Sequence, residues 1–181
     1  IGDKFTLIQK DFLKVDLQEL AQGQMLRIVG NVPYNITSPI MFKVLEERSV
    51  VKDLTMLIQK EVADRIVANP NCKEYGILSV VSQAYADVKK LLHVPRTVFN
   101  PKPKIESTLI QWTFTEERSQ RIKDHDFFRT IVRKAFGQRR KMLRKSLKDI
   151  FVDKKISFDE TLRPEQLSVE DWISLVNELL I

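Results

Sequence analysis

The sequence predicts an α/β domain carrying a small helical domain. Three observations support this. Short apolar strand-like runs alternate with amphipathic helical runs over the first 114 residues, the pattern of a layered sheet. A polar stretch at 115–120 (Thr-Glu-Glu-Arg-Ser-Gln) then breaks that rhythm. Beyond it every apolar run repeats at helical spacing.

The elements follow in order. Residues 4–9 read as a short strand stopping at Asp11, and 25–29 as a second strand stopped by Gly30. Ser38 is a good N-cap and Pro39 suits a first helical position, opening a helix whose Ile40, Met41, Val44 and Leu45 share one face. Residues 54–58 form a third strand, and 61–68 a helix ended by Asn69-Pro70. Residues 75–86 read as helix early and strand later, and 105–114 alternate as a strand. After the polar stretch come helices over 127–136 and 138–151, then a closing helix. In the last, Ser168 stands three residues before Asp171, a capping-box variant, and Trp172, Leu175, Val176 and Leu179 make the buried face. The expected division is 1–114 for the α/β part, 115–122 for a linker and 123–181 for the helical part.

Composition narrows the functional classes. With 43% hydrophobic residues in 181, the chain can build a core, and intrinsic disorder is excluded. No apolar run approaches the ~20 residues of a membrane span, so a membrane role is not expected. A lone Cys72 suits a reducing compartment, and two histidines with it are too few for a zinc cluster. A cytoplasmic protein without a metal is the expectation.

The charge is unevenly placed. The net charge is +6, yet between Arg133 and Lys148 lie eight basic residues and no acid: Arg133, Lys134, Arg139, Arg140, Lys141, Arg144, Lys145 and Lys148. Removing those eight from 30 Lys and Arg leaves 22 against 24 Asp and Glu. Solvated charge runs normally mix signs. This one points to a polyanion, with nucleic acid ahead of an acidic membrane surface. Leu143, Leu147 and Ile150 mark a buried stripe, which leaves the cations on the remaining faces.

Three short motifs could carry chemistry. Asn31-Val32-Pro33-Tyr34 directly follows a strand, where open α/β sheets bind ligands. The Asn31 amide oxygen and a free Pro33 carbonyl can both accept from an exocyclic amine, and Tyr34 offers its ring face to the attached base. A plain turn with a half-buried tyrosine is the commoner use of four such residues. Phe99-Asn100-Pro101-Lys102-Pro103-Lys104 is a proline-stiffened loop. It could present Phe99 to an extruded base and Lys102 and Lys104 to phosphates; alternatively it is a connector with Phe99 in the core. Asp11 could accept from the amino group of a cofactor's adenine, or, more simply, cap a turn.

Taken jointly, these stretches resemble the KsgA family, the small-subunit ribosomal RNA adenine N6,N6-dimethyltransferases. The resemblance rests on Asn31-Val32-Pro33-Tyr34-Asn35-Ile36-Thr37-Ser38-Pro39 and Gln59-Lys60-Glu61-Val62-Ala63-Asp64-Arg65. It continues through Tyr75-Gly76, Leu78-Ser79-Val80, Phe99 to Ser107 and Phe136-Gly137-Gln138-Arg139-Arg140-Lys141. It implies a Rossmann-like methyltransferase domain with S-adenosylmethionine as cofactor, followed by an all-helical RNA-binding domain. The implied reaction methylates two adjacent adenosines near the rRNA 3′ end. The implied partner is small-subunit rRNA in an immature 30S-type subunit, met by a monomer. Asn31 and the Pro33 carbonyl would grip the target amine, with Tyr34 and Phe99 stacking on it. Asp11 would read the cofactor's adenine, and Asn31 would border the cofactor.

The front departs from the family pattern, which opens with a glycine-rich cofactor loop and an acid for the ribose. Five glycines, at 2, 23, 30, 76 and 137, form no G-x-G. Those elements are expected to precede Ile1, making 1–114 the C-terminal portion of the methyltransferase domain. As it stands the chain is expected to bind cofactor poorly or not at all. Two rivals remain: a macrolide-resistance type enzyme acting on large-subunit rRNA, and a non-catalytic ribosome-assembly or nucleic-acid-binding factor on the same fold.

Overall fold

The computed structural model describes residues 5–152 and 154–181. A four-stranded mixed sheet, ordered β1-β2-β4-β3, organises them. Strand β1 (Leu26–Asn31) runs parallel to β2 (Val51–Gln59), with Asn31 opposite Leu57. The crossover between them is α2 (Thr37–Glu46), preceded in the chain by the short α1 (Leu17–Ala21). A parallel pair needs such a crossover, and the helix buries Ile40, Met41, Val44 and Leu45 as their spacing requires. Strand β2 is central and largely buried, in keeping with its apolar run at 54–58, which only Thr55 interrupts.

The start of α2 differs from expectation. Ser38 does not cap it: the helix begins at Thr37 and its N-cap position is Ile36. A 3-10 turn, Tyr34–Ile36, runs straight into the helix, and the Ile36 N–H donates to the Pro33 carbonyl at 3.1 Å. Because the preceding turn is continuous with the helix, Ser38 lies inside its first turn rather than at its boundary.

Helices α3 (Lys60–Ile66) and α4 (Ile77–Tyr85) follow. The ambiguous stretch resolves at Ala86, where α4 gives way to β3 (Ala86–Val94). Strand β4 (Ser107–Phe114) then lies antiparallel between β2 and β3. The predicted strand at the front does not form. Its first residue, Lys4, lies outside the described residues, and 5–9 carry no strand, with Phe5 67% and Leu7 79% exposed. An alternating pattern becomes a strand only with a neighbour to pair with, and among the described residues the outer edge of β1 has none.

Two further segments differ after Phe114. The polar stretch read as linker carries α5 (Glu116–Gln120), from which Arg118 donates to the Gln83 carbonyl at 2.9 Å and pairs with Asp87. After α6 (His125–Gly137), the expected helix over 138–151 is broken into α7 (Leu143–Ser146) and α8 (Lys148–Phe151). The cause is a competing acceptor pair. The Leu143 N–H goes to the Leu162 carbonyl at 2.8 Å and the Arg144 N–H to Glu160 at 3.0 Å, so neither donates to a preceding turn. The closing helix α9 (Val169–Leu179) forms as predicted, with Ser168 and Asp171 bonded reciprocally at 3.1 and 2.9 Å. One apolar core runs from the sheet, around Met56 and Trp112, to the helices, around Phe128 and Trp172.

Candidate active site and RNA-facing surface

The register brings the Asn31–Tyr34 tetrapeptide and the end of the Phe99 loop to one end of the sheet. Asn31 ends β1 and Gln59 ends the parallel β2, while Ser107, which opens β4, pairs with both Gln59 and Val94. The carboxyl ends of the parallel strands, the Tyr34 turn and the loop before β4 therefore meet there. Two hydrogen bonds hold the arrangement. The Tyr34 hydroxyl lies 2.7 Å from the Ser107 hydroxyl, and the Lys60 N–H donates to the Glu106 carbonyl at 3.0 Å.

The individual residues are placed as follows. Asn31 is exposed, and among the described residues its side chain makes no hydrogen bond. Tyr34 is half-buried. The Pro33 carbonyl is not free as expected, because it accepts from Ile36 N–H; a carbonyl's second lone pair still leaves room for one more donor. Phe99 is partly exposed and is not among the side chains packed on the core, so the connector-with-core-Phe alternative fails. Lys102 and Lys104 are exposed in the same loop. Asp11 caps a 3-10 turn, one oxygen accepting from Leu13 N–H at 3.0 Å. Its other oxygen has no protein donor among the described residues, so capping and cofactor recognition are compatible.

The basic run is not uniform. Arg133, Arg140, Lys141, Arg144, Lys145 and Lys148 are exposed. Lys134 pairs with Asp149, which holds that carboxyl below the usual carboxylate range. Arg139 is engaged inside the molecule: it donates to Glu165 at 2.6 Å and to the Lys73 and Cys72 carbonyls at 2.6 and 2.8 Å. Counting charges along the sequence could not distinguish an engaged guanidinium from an exposed one.

Sequence reasoning gave Ser107 no role beyond its place at the end of the Phe99 to Ser107 stretch, because its partner Tyr34 is 73 positions away. It also passed over a polar cluster far from the motifs. There the Arg48 guanidinium lies 4.3 Å from the Tyr85 ring centroid and donates to His125 Nε2 at 2.8 Å and to Ser119 at 2.9 Å. Burial pushes the Tyr85 hydroxyl up to about 12. This cluster borders a cavity of about 420 Å³ lined by Met25, Val51, Phe114 and Thr115, at the opposite end of the sheet from Asn31. No three His, Cys, Asp or Glu side chains converge among the described residues, and no helix there is long and apolar enough to cross a membrane.

Comparison with known proteins settles the lineage. A family model described as ribosomal RNA adenine dimethylase matches residues 1–180. The chain belongs to the ribosomal RNA adenine dimethylase family. As a dimethylase-family chain it is 45% identical over 174 residues to the ribosomal RNA small subunit methyltransferase A of Chlorobium phaeobacteroides. That alignment covers 96% of this chain and 66% of the relative. The protein of the same name from Chlorobaculum tepidum is 45% identical, with 96% and 62% covered. The chain thus spans a little under two thirds of these relatives. The fold is shared with a dimethyladenosine transferase from Plasmodium falciparum, at a TM-score of 0.72 and 23% identity over 86% of this chain and 68% of that one. It is shared more distantly with the 23S rRNA methyltransferase ErmE, at 0.59 and 19% over 96% and 71%. This is the α/β methyltransferase fold.

Proposed function

We propose that the protein carrying this chain transfers methyl groups from S-adenosylmethionine to N6 of two adjacent adenosines near the 3′ end of small-subunit rRNA. It would do so in the cytoplasm, as a monomer acting on the immature subunit. The observation that carries this reading is the meeting of Asn31, the Pro33 carbonyl and Tyr34 at the carboxyl ends of β1 and β2, beside the Phe99 loop. A module that merely binds RNA has no need of two acceptors and a ring face around one amine. The relatives' name, small subunit methyltransferase, favours that substrate over large-subunit rRNA.

S-adenosylmethionine, when bound, supplies an electrophilic methyl carbon on a sulfonium. The oxygen of Asp11 not used in its cap would accept from the cofactor's adenine, and the Asn31 side chain would border the cofactor. The adenine amine is a weak nucleophile because its lone pair is delocalised into the ring. The Asn31 amide oxygen and the remaining lone pair of Pro33 would accept its two N–H groups and favour a more tetrahedral nitrogen. Tyr34 and Phe99 would hold the extruded base by stacking and so restrict where its amine nitrogen can stand. The exposed cations of 133–148, with Lys102 and Lys104, would neutralise phosphates. Residues 1–114 would thus carry the chemistry and 123–181 the docking surface.

The test is labelled methyl transfer to small subunits lacking the modification, using the full reading frame that contains this chain. Transfer to adenine N6 is expected, with Asn31→Ala lowering the rate roughly 10²–10³-fold, as for loss of one preorganised electrostatic partner. An Asn31→Ala protein that methylates at the wild-type rate would remove the amine-gripping role.

A further inference from the structure

We propose that Ser107 is a positioning residue: its hydroxyl, bonded to that of Tyr34, holds in place the Tyr34 ring on which the target base stacks. This rests on the function proposed above and adds a residue that the amine-gripping motif does not contain.

Four observations converge on it. Ser107 is fully buried, and its hydroxyl has Tyr34 as its side-chain partner at 2.7 Å. Its backbone is fixed on both sides, because it pairs with Gln59 of β2 and with Val94 of β3. Tyr34, by contrast, sits in a single 3-10 turn and is only half-buried. Finally, Ser107 follows the loop that carries Phe99, so the bond ties Tyr34 to the strand on which that loop ends.

The physical consequence is a restriction of the ring. A tyrosine side chain turns about two bonds, and packing of a half-buried ring restrains them weakly. Anchoring the para oxygen to a rigid strand removes the swing about the first bond and fixes where the ring stands; the axis of the second bond passes through that oxygen, so the turn about it is left to packing and to the stacked base. Stacking then places the amine without a search at each turnover, which is the contribution expected of orientation. Stacking uses only the ring face of Tyr34; this geometry gives its hydroxyl a task as well.

The bond also has an asymmetry that identifies it. Tyr34→Phe strands the hydroxyl of the fully buried Ser107 without a partner, whereas Ser107→Ala strands that of the half-buried Tyr34, the smaller loss. Tyr34→Phe should therefore lower the melting temperature more than Ser107→Ala, and the double variant should recover part of that loss.

The experiment is a double-variant cycle in the full-length protein, read by melting temperature and by kcat and KM for methyl transfer to unmodified small subunits. Each single variant is expected to lower kcat about tenfold, the scale of one lost neutral hydrogen bond at the reacting geometry. The double variant should be no slower than the worse single, and KM for subunits should move less than about threefold, since the phosphate contacts are untouched. A Ser107→Ala protein with wild-type kcat overturns the proposal. So does a double variant whose kcat loss is the product of the two single losses, or a melting cycle with no coupling. Wild-type protein that methylates no rRNA overturns the parent function and this role with it. That failure is seen before any variant is made, so the two cannot be confused.

Discussion

Arg139 donates its Nε–H to Glu165 at 2.6 Å, and its two terminal nitrogens reach the Lys73 and Cys72 carbonyls at 2.6 and 2.8 Å. One guanidinium thereby joins the loop before α4 to the turn before α9. The same two segments meet again where the Asn71 N–H donates to the Glu165 carbonyl at 2.8 Å and the Tyr75 hydroxyl to Leu167 at 2.8 Å. Burial drives the Tyr75 hydroxyl far above its ordinary range, so it remains a donor. A residue that the sequence placed among the RNA contacts is thus also a clamp between the α/β part and the helices.

Arg139→Ala should therefore cost stability, by about 2 kcal/mol, the scale of hydrogen bonds to a charged group that is partly solvated. Arg139→Lys should recover little, since an ammonium lacks the planar fork that reaches three oxygens at once. Urea denaturation of the two variants checks this. Wild-type stability in Arg139→Ala would return the residue to the phosphate-binding set alone.

The exposed cations should behave oppositely. Replacing Arg140 and Arg144 with Glu should weaken subunit binding and reduce the slope of log affinity against log salt by roughly 1–2, since fewer counterions are released. Cofactor binding by the full-length protein should be unchanged. The fold should survive, because Leu143 and Leu147 beside them remain buried. Subunit affinity at several salt concentrations decides the matter. An unchanged slope would leave the run as an ordinary solvated face.

His125 predicts a pH dependence of stability. Arg48 can only donate, so Nε2 of His125 accepts and the ring is neutral with its proton on Nδ1. Burial, followed by the charges of Arg48 and Arg129, holds its pKa below the ordinary 6.5, against a smaller opposing pull from Asp124 and Asp126. The unfolded chain therefore takes up a proton near pH 6.5 that the folded chain refuses. The contribution to stability is whole above 6.5 and is lost as pH falls from there to the lower folded value. Melting temperatures between pH 7.5 and 5.5 should drop, and His125→Gln should flatten that part of the curve. An identical slope in the variant would assign the acid sensitivity to other groups.

Much of this protein was legible in the sequence by itself because the relevant forces are local. The α9 cap is a bond between residues three apart, Ser168 and Asp171. The faces of α2 and α9 follow from helical spacing, and the burial of β2 from its apolar run. The place of the tetrapeptide Asn31 to Tyr34, directly after β1, was legible too, since it depends only on adjacent residues. Tertiary structure decided whatever depended on a distant partner. Residues 5–9 have strand-like alternation but no strand to pair with, and 138–151 have helical spacing but lose two backbone donors to Leu162 and Glu160. Arg139 is engaged by oxygens of residues 72, 73 and 165, and Tyr34 by a hydroxyl 73 positions away. Periodicity and propensity describe what a segment can do with its own neighbours. Which donor finds which acceptor across the chain is settled only when the core, running from Met56 and Trp112 to Phe128 and Trp172, brings them together.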